Sequence, residues 1–311
     1  MKAPNTLPVF PPAVHRYVKT VFRGANRRTC QKLATVPNCP EESLDLTLIE
    51  SLSNYSGPRV VAPGWVVRVD VYYLGGMRHF HNWEIGDIGL LVFAKRAGGV
   101  LASKVAVLQS KRLYPDKGSV IELTPEDFRI GFGTLLPTGG REAPLIAQRL
   151  FPFTPESRYR ALLVDDRQYK SIKDYETTNR IPVHYLFYNP WELPVTYTFP
   201  VSGRQRLGRM ANGGARIAPA DSVRNVLSRS SAGYSPSFRD MNHVVSVKSQ
   251  HASGWRLEHF VAELLLKCQQ GRVFESIQEA DIDALFNRRS GPIAAAISVT
   301  VEQSDTREHG G

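Results

Sequence analysis

The stretch "EIGDIGLLVFAKRAGGVLASKVAVLQSKRLYP" (residues 84–115) decides the reading of this chain. Two apolar, β-branched runs flank a glycine pair, Gly98-Gly99, so the segment predicts an antiparallel hairpin of strands 84–95 and 101–113. Opposed residue numbers then sum to about 197, allowing a slip of one or two. Asp87 therefore falls beside Gln109 and Lys111, and these last two share one face of their strand. Three polar groups converge at the open end of an otherwise apolar pair. Burying them unpaired is costly, so they need water, each other or a metal. Asp87 and the Gln109 carbonyl are hard oxygen ligands suited to Mg²⁺ or Mn²⁺, and Lys111 can hold a phosphate or polarise an attacking water. This is the equipment of metal-assisted phosphodiester hydrolysis.

The neighbouring segments frame the hairpin. "PEESLDLTLIESLSNYSG" (40–57) predicts a helix that opens on acids, stops at Gly57 and carries an apolar stripe of Leu44, Leu48, Ile49 and Leu52. "GWVVRVDVYYLGG" (64–76) alternates as a strand does. After a proline- and glycine-rich insertion at 115–160, "RALLVDD" reads as a strand, "RQYKSIKDYETTNR" as a helix and "IPVHYLFYNPW" (181–191) as a strong strand. Its aromatics Tyr185, Phe187, Tyr188 and Trp191 belong in the core. "GWRLEHFVAELLLKCQQG" (254–271) and "ESIQEADIDALFNRR" predict helices, and "PIAAAISVTVEQ" a last strand.

An acid at a strand start, a hairpin, and (D/E/Q)xK in the next strand, preceded by a helix and a strand, resembles the PD-(D/E)xK nuclease superfamily over residues 42–114. The resemblance implies a restriction-endonuclease-like mixed β-sheet flanked by helices, an α/β core with helical C-terminal elaboration. It implies that Asp87, Gln109 and Glu50, from the helix before the first strand, hold the metal, with Lys111 as the catalytic lysine; Glu42 is a weaker match than Glu50. Gln109 stands where the family usually has an acid, and no proline precedes Asp87, so Glu84 replaces Asp87 if the register slips. In related nucleases a helix after the third strand lines the site, which points to Gln168 and Lys170 as substrate contacts. DNA is the implied substrate.

Composition agrees with an anionic partner. The 311 residues carry a formal charge of +10, and a chain this basic commonly meets nucleic acid. Arg112 and the arginines Arg204, Arg206, Arg209, Arg216, Arg224 and Arg229 are phosphate-tracking candidates. The expected layout is a basic N-terminal extension (1–40), the nuclease-like core (41–200), a basic flexible loop (201–240), a C-terminal part on the same domain (241–303) and a disordered tail (304–311). Three cysteines, Cys30, Cys39 and Cys268, suggest no disulfide framework. Prolines interrupt the N-terminal apolar stretch and no run reaches membrane-span length, so the expectation is a cytoplasmic protein without membrane contact.

Rival readings are weaker in the residues that carry them. His79, His81 and Glu84 in "HFHNWE" form a possible Zn²⁺ triplet. The glycines of "GFGTLLPTGGR" lack the GK[ST] of a P-loop, and there is no nucleophile elbow. A nuclease without a reader domain endangers its host. The expected setting is therefore an effector with a protein partner, an ATPase, helicase or sensor, in prokaryotic antiphage defence or DNA processing; homo-oligomerisation stays open. The runner-up is a catalytically inactive subunit of the same fold that binds nucleic acid or a protein. A third reading is a structural interaction protein using the C-terminal segment 254–288.

Overall fold

The computed structural model describes residues 7–73, 85–96, 99–116, 149–199, 206–208, 212–241, 244, 254–274 and 293–304. It begins with a long helix, α1 (Pro12–Thr35). Pro12 sits where a helix tolerates proline, and an apolar stripe including Val14, Val18, Val21, Phe22, Ala25 and Leu33 is buried. The expected basic N-terminal extension is thus largely a core helix. Its arginines and lysines lie outside the buried stripe.

Helix α2 (Glu41–Ser53) packs on α1 and reaches the sheet. Then come β1 (Arg59–Ala62), β2 (Trp65–Tyr73), β3 (Gly86–Arg96), β4 (Gly99–Arg112), β5 (Arg149–Phe153), α3 (Arg167–Asn179), β6 (Val183–Tyr188), β7 (Val195–Phe199), β8 (Arg216–Pro219) and α4 (Ala220–Leu227). The chain closes with β9 (Trp255–Arg256), a single turn α5 (Leu257–His259) continuing as a π-helical segment (Phe260–Leu265), β10 (Arg272–Phe274) and β11 (Ile293–Gln303). Nine strands form one mixed sheet in the order β1-β2-β11-β3-β4-β6-β8-β9, with β10 also pairing β4; β5 and β7 form a separate pair. Strand β6 is buried along its whole length and β4 from Ser103 onward, as expected for strands covered on both faces. The fold is mixed α/β, a mixed sheet flanked by helices.

The hairpin of β3 and β4 forms as expected. Ile88 pairs with Leu108 and Ala94 with Ala102 before a register shift near the turn. Next to β4 lies β6, parallel to it, with Val107 opposite Val183.

Several expectations change. The last strand is central: β11 inserts between β2 and β3, antiparallel to the first and parallel to the second. The helix–strand–strand–strand order of the chain is therefore not the order of the sheet. Its alternation of small and β-branched residues, Ala295, Ile297, Val299 and Val301, suits a strand buried between neighbours. The 201–240 segment is not a flexible loop throughout, because 216–219 is a sheet strand and 220–227 a helix. "RALLVDD" runs as turns, with Asp165 at φ 60° and Asp166 capping α3 through the Tyr169 amide at 2.7 Å. The 254–271 helix is instead a short strand, one turn and the π-helical run. The helix expected at 275–289 and the tail beyond 304 lie outside the described residues.

Candidate active site

The site is built at one end of the β3–β4 pair, where α2 begins. The register that sets Ile88 against Leu108 sets Asp87 against Gln109. The Gln109 side-chain Nε2 donates to Asp87 Oδ2 at 2.6 Å, and the Ser110 amide donates to the same oxygen at 2.6 Å. The Ser110 hydroxyl donates to Asp45 Oδ1 at 2.5 Å, and the Tyr188 hydroxyl donates to it at 2.7 Å. Glu41 accepts the Arg112 amide at 2.7 Å and the Lys111 ammonium at 3.5 Å. Four elements thus meet: α2 supplies Glu41 and Asp45, β3 Asp87, β4 residues 109–112 and β6 Tyr188.

Local sequence explains the convergence. Glu41 and Asp45 are four residues apart, so they share a helix face. Gly86 lets β3 approach β4 closely beside Asp87, since a Cβ there would stand 2.3 Å from Val107 Cγ1.

Burial sets the electrostatics. Asp45 is pushed well above the usual carboxylate range by burial and then by the Asp87 charge, against the pull of Ser110 and Tyr188. Burial likewise raises Glu41 in spite of Lys111 and the Arg112 amide. For Lys111 burial acts downward, but Glu41 and Asp87 outweigh it and its pKa is raised, so it is an ammonium. The Tyr188 hydroxyl is raised well above its ordinary value by burial, then by Asp45. Lys111 is only 3 % exposed and Gln109 2 %.

The sequence-predicted residues divide. Asp87, Gln109 and Lys111 lie together, although the ammonium of Lys111 turns to Glu41. Glu50 does not join them. It lies five residues past Asp45, about 140° round the helix, exposed beside Arg28, Gln31 and Lys32 of α1. Glu42 is also exposed. Arg112 is fully buried; its Nη2 donates to Pro37 O at 2.8 Å and its guanidinium lies 4.2 Å from the Tyr114 ring centre, so it is no surface phosphate contact. Arg216 is 1 % exposed, and Arg224 is engaged by Glu176 and Asp221, which removes both from the phosphate-tracking set. Arg206, Arg229 and Lys170 are exposed and Gln168 half-buried. Arg204, Arg209, His79, His81 and Glu84 lie outside the described residues. Glu41, Asp45, Ser110 and Tyr188 were missed. The signal for the two acids was their four-residue spacing on the side of α2 that also carries Leu44 and Leu48.

Among the described residues no group of three or more His, Cys, Asp and Glu side chains is gathered to hold a metal ion. A smaller set of oxygen donors is present. Asp45 and Asp87 are tied together through Ser110, and the Gln109 Oε1 is a buried acceptor with no hydrogen-bond partner. Mg²⁺ is commonly held by one or two carboxylates with water completing its shell, so two carboxylates and an amide oxygen suffice. Comparison with protein-family models, curated proteins and solved structures finds no match to this chain.

Proposed function

We propose that this chain is a metal-dependent nuclease that hydrolyses phosphodiester bonds of DNA. One observation carries the reading: acids from two separate elements, Asp45 and Asp87, are locked together by Ser110 while the carbonyl of Gln109 is buried beside Asp87 without a partner. Asp45, Asp87 and Gln109 Oε1 would hold Mg²⁺ or Mn²⁺. When bound, that ion supplies charge stabilisation at the scissile phosphate and a more acidic water. Ser110 and Tyr188 orient Asp45, and the Gln109 amide orients Asp87. Glu41 keeps Lys111 charged and positioned. The Lys111 ammonium, exchanging Glu41 for substrate, would neutralise a non-bridging phosphate oxygen. Glu41 and Asp45 take the place that the family resemblance gave to Glu50.

A second reading, a nucleic-acid-binding subunit without catalysis, draws on the burial of Lys111 and its pairing with Glu41. The proposal also includes a controlling protein partner, an ATPase, helicase or sensor of a prokaryotic defence or DNA-processing system.

Cleavage of plasmid, single-stranded DNA and RNA with Mg²⁺, Mn²⁺ or EDTA tests the reading, using the wild type, Asp87→Ala, Asp45→Asn and Lys111→Ala. Metal-dependent cutting lost in all three variants supports it. DNA binding without cutting, unchanged by the substitutions, supports the binding subunit. If neither occurs, a pull-down for the partner follows.

A further inference from the structure

The outer side of α1 carries Arg16, Lys19, Arg23 and Arg27, all exposed. At about 100° per residue their Cα positions fall within an arc of about 80°, and they span about 16 Å along the axis. Arg28 and Lys32 lie on another side of the helix, toward α2, and α1 contains no acid at all. Among the described residues, Lys19 alone of the row has an acidic neighbour, Glu263 at 4.0 Å, and Glu263 lies closer to Lys267 at 2.7 Å. Surface arginines without counter-charges repel one another along a helix face, which costs stability unless an anion lies over them. The row is continuous with concave surface. A cavity of about 750 Å³ includes Arg16 and Lys19 in its lining, and one of about 550 Å³ includes Arg27 and Arg28. Arg27 is further held over the Trp191 ring at 5.1 Å.

We propose that this row is a docking strip for the sugar-phosphate backbone of duplex DNA. The choice of DNA as the anion rests on the nuclease reading; the strip itself does not. A linear array of cations about 6 Å apart suits a row of phosphates, where arginine also gives bidentate contacts. A membrane surface suits it less. The apolar side of α1 is buried in the core, so no apolar face remains to enter a bilayer.

The test is equilibrium binding of a short labelled duplex to the full chain in EDTA, across a range of KCl concentrations. Each phosphate contact removed lowers the slope of log K against log[salt] by about 0.9. The variant R16Q/K19Q/R23Q/R27Q is expected to lose about 3 to 4 from that slope and at least about tenfold in affinity at low salt. R16K/R23K/R27K should keep the slope, as should Arg239→Gln, an exposed arginine off the strip that pairs with Glu156. Equal melting temperatures of the variants establish that folding is intact. An unchanged slope in the glutamine variant overturns the proposal. So does a wild type that ignores DNA, or one that binds phosphatidylserine vesicles through these residues instead. Binding through α1 without cleavage in Mg²⁺ would sink the nuclease reading and leave the strip standing. Cleavage by a glutamine variant with unchanged binding would do the reverse.

Discussion

Ser110 joins Asp45 to Asp87: its hydroxyl donates to the first at 2.5 Å and its backbone amide to the second at 2.6 Å. One residue of β4 therefore fixes two acids that arrive from α2 and β3, elements far apart in sequence. A partly buried pair of like charges is unfavourable by itself. Its persistence in one hydrogen-bonded cluster is what makes the cluster a candidate cation site and not an ordinary strand end.

Asp45 and Glu50 separate the site proposed from the structure from the one expected from sequence. Asp45→Asn should lower metal-dependent cleavage by roughly 100-fold or more, as loss of a ligand does. Glu50→Gln, on the exposed side of α2, should leave the rate within about twofold. Steady-state cleavage at saturating Mg²⁺ decides between them. An E50Q defect with an active D45N protein would reverse the assignment.

Removing one of the two tied charges should also show in stability. With Asp87 adjacent, the Asp45 charge is repelled and desolvated in the metal-free protein. Asp45→Asn, which keeps shape and accepts the same donors through its carbonyl, should raise the melting temperature in EDTA. Mg²⁺ should raise it in the wild type and do less in the variant. Differential scanning fluorimetry with and without the metal reads both. A melting temperature that falls on substitution would mean that the cluster is a stabilising hydrogen-bond network only.

The hairpin was legible because alternation, a glycine turn and two β-branched runs all act locally, and a register error of one or two residues still left Asp87 near Gln109. The strand order was not. β11 enters between β2 and β3 through pairings more than 200 residues apart in the chain, such as Val299 with Val69 and with Val92. No local pattern encodes that choice. Helix α1 was missed because its prolines and arginines are conspicuous, while the stripe from Val14 to Leu33 needs the 3.6-residue period to be seen. Among the site residues, Glu50 matches the family position, whereas Asp45 lies among leucines in "SLDLTL". A helical wheel separates the two, but only the position of β4 shows which side of α2 faces the hairpin. Tyr188 read as core and is core; that its hydroxyl serves Asp45 depends on the parallel pairing of β4 and β6.

Gly86 tests how tightly the site depends on strand approach. An added Cβ would meet Val107 Cγ1 at 2.3 Å and the Leu108 carbonyl at 3.3 Å. Gly86→Ala should cost about 1–3 kcal/mol by overpacking and shift Asp87 enough to cut activity. The first clash is with a side chain, so Val107→Ala in the same chain should recover part of the loss. Denaturant unfolding of the two single variants and the double variant gives the coupling. Additive costs would show that the clash is relieved elsewhere.

His184 gives the fold a pH dependence separate from the site. The ring is fully buried in β6, 4.9 Å from the centre of Phe260, with Nε2 3.1 Å from Gln270 Oε1. Burial lowers its pKa from 6.5 to about 4. The unfolded chain therefore takes up a proton between these values while the folded chain does not. Stability from the neutral ring is fully present above pH 6.5 and is lost as pH falls toward about 4, by up to about 3 kcal/mol. Urea unfolding at a series of pH values should show the decline beginning near pH 6.5, the unfolded-state value. His184→Phe, which keeps an aromatic ring in place, should flatten that part of the profile while lowering stability at neutral pH through loss of the Gln270 contact. A variant whose stability falls with acid as steeply as the wild type would assign the dependence to other groups.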